Sequence, residues 1–438
     1  MLLALLSLAF YYSFAYHLVR EDFIKLLTLF IALFILCFKL IQFEKWNNKF
    51  ILGVGILFRL VFLMAEPNLS QDYFRFIWDG QLVGHLQNPY LELPKNLIAR
   101  PDLVIMHAQE LFDGMGSLSA RHFSNYPPLN QVIFALAGYM GGKSILGAVV
   151  SMRIIIIAAD IGVLYYGRKL LRNLNRSPHL IFWYFLNPLV IIELTGNLHF
   201  EGVMLFFFVW ALYLLSVSKW QWAGIVFALS ISIKLVPLLF LPLFLKYLGL
   251  RKSIMFYLIV GVTSAVLWYP FYTPEFIDNY TTTIGLWFSN FEFNAGLYNA
   301  VKSIAKQFGA KPWELIKTYG SLTPYITIGA VLLFTFIPKN QKLGTLITSM
   351  LWVLTLYYFL SATVHPWYII FLVLLVVFTE YRFAVIWSAA VVLSYAAYAN
   401  TPFKEDLGLI AIEYISVYGF MFYEIFKLRG KYLLFHKN

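Results

Sequence analysis

The stretch GIVFALSISIKLVPLLFLPLFL, residues 224–245, is long enough to cover about 33 Å as one helix, which matches the hydrocarbon core of a bilayer. Two of its residues oppose that reading. Lys234 at its centre costs about 2.5–3.5 kcal/mol on insertion scales unless it snorkels or finds a partner. Pro237 removes a helical hydrogen bond within the next turn. The stretch therefore reads as two half-helices that enter and leave on the same side, with Lys234 near their apex. Broken helices of this kind are tolerated at depth where they line a cavity.

The rest of the chain sets the same solvent. Of 438 residues, 61% are hydrophobic and 13% charged, with mean hydropathy +0.73, against about a quarter charged in soluble domains. Apolar runs near the roughly 20 residues of a membrane helix recur from end to end, without the dyad alternation of a barrel. The fold class is all-α, a polytopic integral membrane helical bundle. The net charge of +11 comes from basic residues dispersed in short inter-helix loops, which fits positive-inside bias and excludes a nucleic-acid partner. Aromatic residues at 19% exceed what interfacial belts need and suit lipid-tail grooves or sugar platforms. The single cysteine, Cys37, lies in an apolar run and excludes a disulfide framework or a thiolate metal site. The N-terminal MLLALLSLAFYYSFAYHL has no basic n-region and reads as a retained first span.

Apolar runs at about 1–17, 26–43 and 50–65 lead to the longest polar stretch, 66–128, which reads as the first extracytoplasmic loop because Lys39, Lys45 and Lys49 favour a cytoplasmic turn before it. Further runs fall at about 145–170, 179–197, 200–217, 253–272, 319–337, 343–361, 366–379, 382–398 and 407–427. Residues 273–318 form a second outer loop, whose NAGLYNAVKSIAKQFG reads as an interfacial amphipathic helix. The clusters Arg168, Lys169, Arg172, Arg176 and Lys246, Arg251, Lys252 are both cytoplasmic only if two short elements fail to span. These are YPPLNQVIFALAGYM, at 126–140, and the Lys234 hairpin. The prediction is about 12 full spans plus two short re-entrant or broken elements, in a single domain over 1–438. Both termini are then cytoplasmic, in keeping with the basic tail KLRGKYLLFHKN, and no internal repeat is evident.

Four polar constellations converge on the outer side: SQDYFRFIWDG (70–80), GNLHFEG (196–202), Lys234, and VHPWY (364–368). Asp72, Arg75 and Asp79 stand three and four residues apart, on one stripe of a helix, with Ser70 as an N-cap. Helix capping and an intrahelical ion pair account for the stripe as fully as function does. His199 and Glu201 either end a span or contact substrate, and they lack the i, i+4 spacing of a helical metal pair, so no metal site is expected. An anion is the natural partner for Lys234. His365, Trp367 and Tyr368 supply donors and a stacking face.

In this order QDYFRFIWDGQLVGHLQNPY, YPPL, GNLHFEG, ALSISIKLVPLLFLP and HPWY resemble polyprenyl-phosphate-sugar-dependent membrane mannosyltransferases of the GT-C superfamily. The similarity is nearest to the GPI mannosyltransferase I type and its bacterial relatives, and runs over most of the chain. It implies a GT-C-like bundle with outer juxtamembrane helices, an inverting hexosyl transfer with mannose as the expected sugar, and a lipid, glycan or protein acceptor. In those families the aspartate motif often reads Asp-x-Asp; here the triplet is Ser70, Gln71, Asp72. The resemblance therefore assigns the base to Asp72, matches Asp79 to a second family acid and Lys234 to the family lysine, and leaves no metal-binding pair. No cofactor is implied beyond the lipid-linked phosphosugar, which is the substrate. A lone carboxylate suffices to take the acceptor proton, and Arg75, His199, Glu201, Lys234, His365, Trp367 and Tyr368 are the candidate phosphate and sugar contacts.

Two other classes would use similar residues. A flippase or transporter of lipid-linked saccharides should show repeat symmetry between halves, and a surface-polysaccharide polymerase or ligase should carry an arginine-rich outer loop. Neither feature is present in the sequence.

Overall fold

Within hydrocarbon every backbone polar group must be satisfied internally, and helices do this one segment at a time. The computed structural model describes residues 1–435, and all their side chains except those of 287–289 and 429–435. Among these residues there are helices and one isolated bridge, Phe293 to Thr363, but no strand. The basic tail beyond residue 428, which bears on the predicted side of the C-terminus, lies outside the described side chains.

Among the described residues, six helices are long and apolar enough to cross a bilayer: Phe23–Glu44, Ile145–Asn173, Leu250–Phe271, Pro312–Phe336, Leu343–Leu360 and Leu407–Leu428. A seventh candidate, Pro178–Phe185 with Pro188–Gly196, is bent by 53°. The bend falls where Pro188 lacks an N–H and Asn187 takes an extended conformation. The other apolar runs fold into helices of 10–17 residues, among them Leu2–His17, Glu201–Ser216 and Pro366–Val377. Even the longest of these spans only about 26 Å. Hydropathy counts apolar residues, whereas prolines and 3-10 turns decide how far a run stays helical, so about twelve runs yield six full-length spans.

The run breaks at Lys234, as expected. Trp220–Ile231 and Val236–Leu248 run antiparallel, with Phe227 packed on Phe244 at 5.3 Å and Tyr247 Oη donating to the Leu215 carbonyl at 3.3 Å. The chain turns at 232–235. Two carbonyls freed by this turn are capped by the start of Pro128–Gly141: Leu129 N–H donates to Ser232 O at 3.1 Å and Asn130 Nδ2 to Ile233 O at 2.6 Å. The prolines of YPPL thus begin a helix whose first turn holds the apex beneath Lys234.

Segment 66–128 holds two main helices, Asp72–Gly84 and Ala108–Ala120, joined by turns and loops. Asp72–Gly84 lies on Pro128–Gly141, where Phe76 stacks on Phe134 at 4.6 Å. Gly80 makes this approach possible, since a Cβ there would stand 2.5 Å from the Phe134 carbonyl. Segment 273–318 contains Pro274–Ser289 and Gly296–Gln307, the latter burying Tyr298 and Asn299. In the centre, every residue of Ile369–Val377 is buried, as befits a helix apolar on all faces.

The bundle has two unlike ends. One gathers Asp72, Glu201, Lys234 and His365, joined by the contacts described below. The other gathers Lys45, Arg168, Arg176 and Lys246, with Arg176 on Glu380 and Thr379 O and Asn173 on Ser216.

Candidate active site

The aspartate helix begins at Asp72, whose N–H is accepted by Ser70 Oγ at 3.3 Å. Asp72 is half-buried on the wall of a cavity of about 330 Å³, and its carboxylate makes no ion pair or hydrogen bond among the described residues. One turn on, Arg75 is held on three sides. Its Nε donates to Asp79 Oδ1 at 2.7 Å, and its Nη1 donates to the carbonyls of Ser119 at 2.8 Å and His122 at 3.0 Å. Arg75 also lines the Asp72 cavity.

Asp79 does not reach that cavity. It is fully buried behind Arg75, where Ser124 Oγ donates to its Oδ2 at 2.6 Å and Gln131 Nε2 at 3.3 Å. The stripe read from the sequence is real, but it points from cavity to core: only its first two members can meet a ligand. Seven residues beyond Asp72, Asp79 has its carboxylate under the neighbouring helix Pro128–Gly141, on Gln131.

Lys234 stands at the junction of two spaces. It lines the Asp72 cavity and also an apolar groove of about 500 Å³ walled by Leu235, Leu238, Leu239, Ile328, Tyr357 and Phe371. Its Nζ forms a close ion pair with Glu201, whose Oε2 is buried without a partner, and lies 6.0 Å over the Tyr368 ring. Glu201 itself faces the groove, not the Asp72 cavity.

His365, Trp367 and Tyr368 all line the Asp72 cavity. Trp367 lies between two imidazoles, with His365 parallel to it at 4.4 Å and His199 stacked at 3.8 Å. Phe293 extends the stack beyond His365 at 5.1 Å. Burial, reinforced by the cations Lys234 and Arg20 and by the neighbouring His199, holds the His365 imidazole down at about 3, so it is neutral at pH 7. His199 is buried behind Trp367 and off the cavity wall, where it backs the indole. A left-handed Leu198, with φ 61°, turns the chain to put it there, and Nδ1 stands 3.2 Å from Glu193 Oε2. Below it, Arg153 binds the carbonyls of Thr195, Gly196 and Leu63 at 2.7–3.0 Å, closing the π-helical turn Ile191–Gly196.

Sequence reading misses Arg20, from the loop after Leu2–His17. Its guanidinium lies 3.3 Å above the Tyr398 ring. It misses Ser124 and Gln131 as well. Only their nearness to YPPL gives any signal. Among the described residues no three His, Cys, Asp or Glu side chains group to hold a metal ion.

The site thus offers one unpaired carboxylate, cations held in place by buried acids, an aromatic wall, and an apolar groove reached through Lys234. A family model described as alpha-(1->6)-mannopyranosyltransferase, N-terminal domain, matches residues 17–249. The chain belongs to this alpha-(1->6)-mannopyranosyltransferase family. It is a glycosyltransferase, and the resemblance to GT-C mannosyltransferases stands. No curated protein matches the chain. The stretch matched to the mannosyltransferase family contains Asp72, Arg75, Asp79, Glu201 and Lys234; His365, Trp367 and Tyr368 come from the half beyond it.

Proposed function

We propose that the protein transfers a mannosyl residue from a polyprenyl-phosphate donor to a hydroxyl of a lipid, glycan or protein acceptor, with inversion at the sugar. The observation that carries this reading is Lys234, whose ammonium stands where a polar cavity with one unpaired carboxylate meets an apolar groove. A lipid-linked phosphosugar has this same sequence of chemistry: chain, phosphate, sugar.

The chain lies in the groove, the phosphate on Lys234 and Arg75, and the sugar against Trp367 and Tyr368. Asp72 accepts the proton of the acceptor hydroxyl as its oxygen bonds to the anomeric carbon. The bond from that carbon to the phosphate oxygen breaks, and its electron pair leaves on the phosphate, where the cations stabilise it. An α product formed by inversion requires a β-linked donor. No cofactor or resident metal takes part in this scheme: of the two helix carboxylates, Asp79 has its oxygens committed to Arg75, Ser124 and Gln131.

The protein is read as a multi-pass membrane protein of about twelve passes, the shorter helices crossing where protein surrounds them. The active site faces the extracytoplasmic side, a reading supported by the lysines and arginines at the opposite end. Purified protein given a panel of polyprenyl-phosphate hexoses and nucleotide sugars should release mannose only from the lipid donor. Turnover of a nucleotide sugar alone would contradict the reading.

A further inference from the structure

At the end of the bundle opposite Asp72, the last turns of Phe23–Glu44 and the 3-10 turn Pro178–Ile181 enclose a cleft of about 430 Å³. One wall is apolar, made by Phe38, Ile41, Leu180 and Trp183. The rim is basic and aromatic. Trp46 meets the His179 ring edge-on at 4.4 Å, Lys45 lines the cleft beside them, and Arg168 comes from Ile145–Asn173, the helix that packs on this 3-10 turn. We propose that this cleft binds an anionic phospholipid, its phosphate on Lys45 and His179 with Arg168 on the helix behind the imidazole, and an acyl chain along Phe38, Ile41 and Trp183.

The charges call for an anion that the protein does not supply. Neither Lys45 nor Arg168 pairs with a carboxylate among the described residues. Arg168 Nε and His179 Nδ1 are buried without a hydrogen-bond partner. Arg176, at the same end, finds both Glu380 and the Thr379 carbonyl, so pairing is available there to a residue that reaches for it. The apolar wall selects a lipid over a free ion. Phe38 and Trp46 are 50% and 72% exposed, and rings left open at the level of basic residues suit the acyl–headgroup boundary. A zwitterionic headgroup brings its own cation to this rim and is disfavoured by it, whereas an anionic one is drawn by each lysine and arginine near the surface.

The test uses the full chain, purified in detergent. After exchange from mixed lipid, native mass spectrometry should find phosphatidylglycerol retained in preference to phosphatidylcholine. The double variant Lys45→Gln/Arg168→Gln should retain less, by about fivefold for each cation removed. Millimolar inorganic phosphate should not displace the lipid. A second measurement needs no charge variant. Brominated-chain phosphatidylglycerol should quench tryptophan fluorescence more in the parent than in Trp46→Phe/Trp183→Phe, and brominated phosphatidylcholine should not. Equal retention of the two lipids, full displacement by phosphate, or the same quenching by both brominated lipids would each overturn the proposal.

Discussion

Arg75 Nε donates to Asp79 Oδ1 at 2.7 Å within one helix, and both side chains are almost fully buried. A buried pair of this kind is strongly destabilised by loss of one partner, because the other charge is left uncompensated. Asp79→Asn should therefore lower stability by about 3–5 kcal/mol and reduce protein yield. It should also weaken donor binding, because Arg75 loses its anchor. Thermal unfolding in detergent, with donor titration, measures both. An Asp79→Asn protein of parental stability would show that the pair is not what holds Arg75.

Lys234 is paired with Glu201 and lies on both the cavity and the groove. Lys234→Gln removes a charge-assisted contact to the donor phosphate, each worth about 1.5–3 kcal/mol. Binding of polyprenyl phosphate should fall roughly 10- to 100-fold, while a free mannoside loses little. Isothermal titration with both ligands separates the outcomes. Equal weakening for the two would place the phosphate elsewhere.

The His365 imidazole is held at about 3, below its ordinary value of about 6.5. Between those values the unfolded chain binds the proton and the folded protein does not. The stability this group contributes is thus complete above pH 6.5 and is lost as pH falls toward 3. Unfolding followed from pH 8 to 4 should show this loss, and His365→Gln should flatten it below pH 6.5. A profile identical in the two proteins would contradict the assignment.

Gly80 touches the Phe134 backbone, and a Cβ there would stand 2.5 Å from its carbonyl atoms. Gly80→Ala should cost about 1–3 kcal/mol by overpacking and shift the aspartate helix. Activity should drop even though Gly80 meets no substrate. Unchanged stability would show that the two helices can part without cost.

Much of this arrangement is legible in the sequence where spacing or cost is local. The Lys234 apex follows from the price of a mid-span lysine and from Pro237, and the Asp72–Arg75–Asp79 stripe follows from helical spacing. What spacing cannot tell is which neighbour lies over each face. Asp79 is taken by Ser124 and Gln131, 45 and 52 residues away, so its burial is invisible from its own helix. His199 meets Trp367 through a fold-level contact between two polar turns. Arg20 sits in VREDFIK, which reads only as a charged separator between spans. The number of passes is the least legible feature, because breaks such as Asn187-Pro188 divide apolar runs without changing their hydropathy.

The most direct measurement is single-turnover transfer by Asp72→Asn with donor binding determined on the same sample. The amide keeps the shape of the side chain but accepts no proton. Transfer should fall by about 10²–10⁴-fold, with donor affinity and unfolding temperature close to the parent's. An Asp72→Asn enzyme that transfers at the parental rate would contradict the assignment of Asp72 as the base and move that role to another carboxylate, with Glu201 the nearest at the groove.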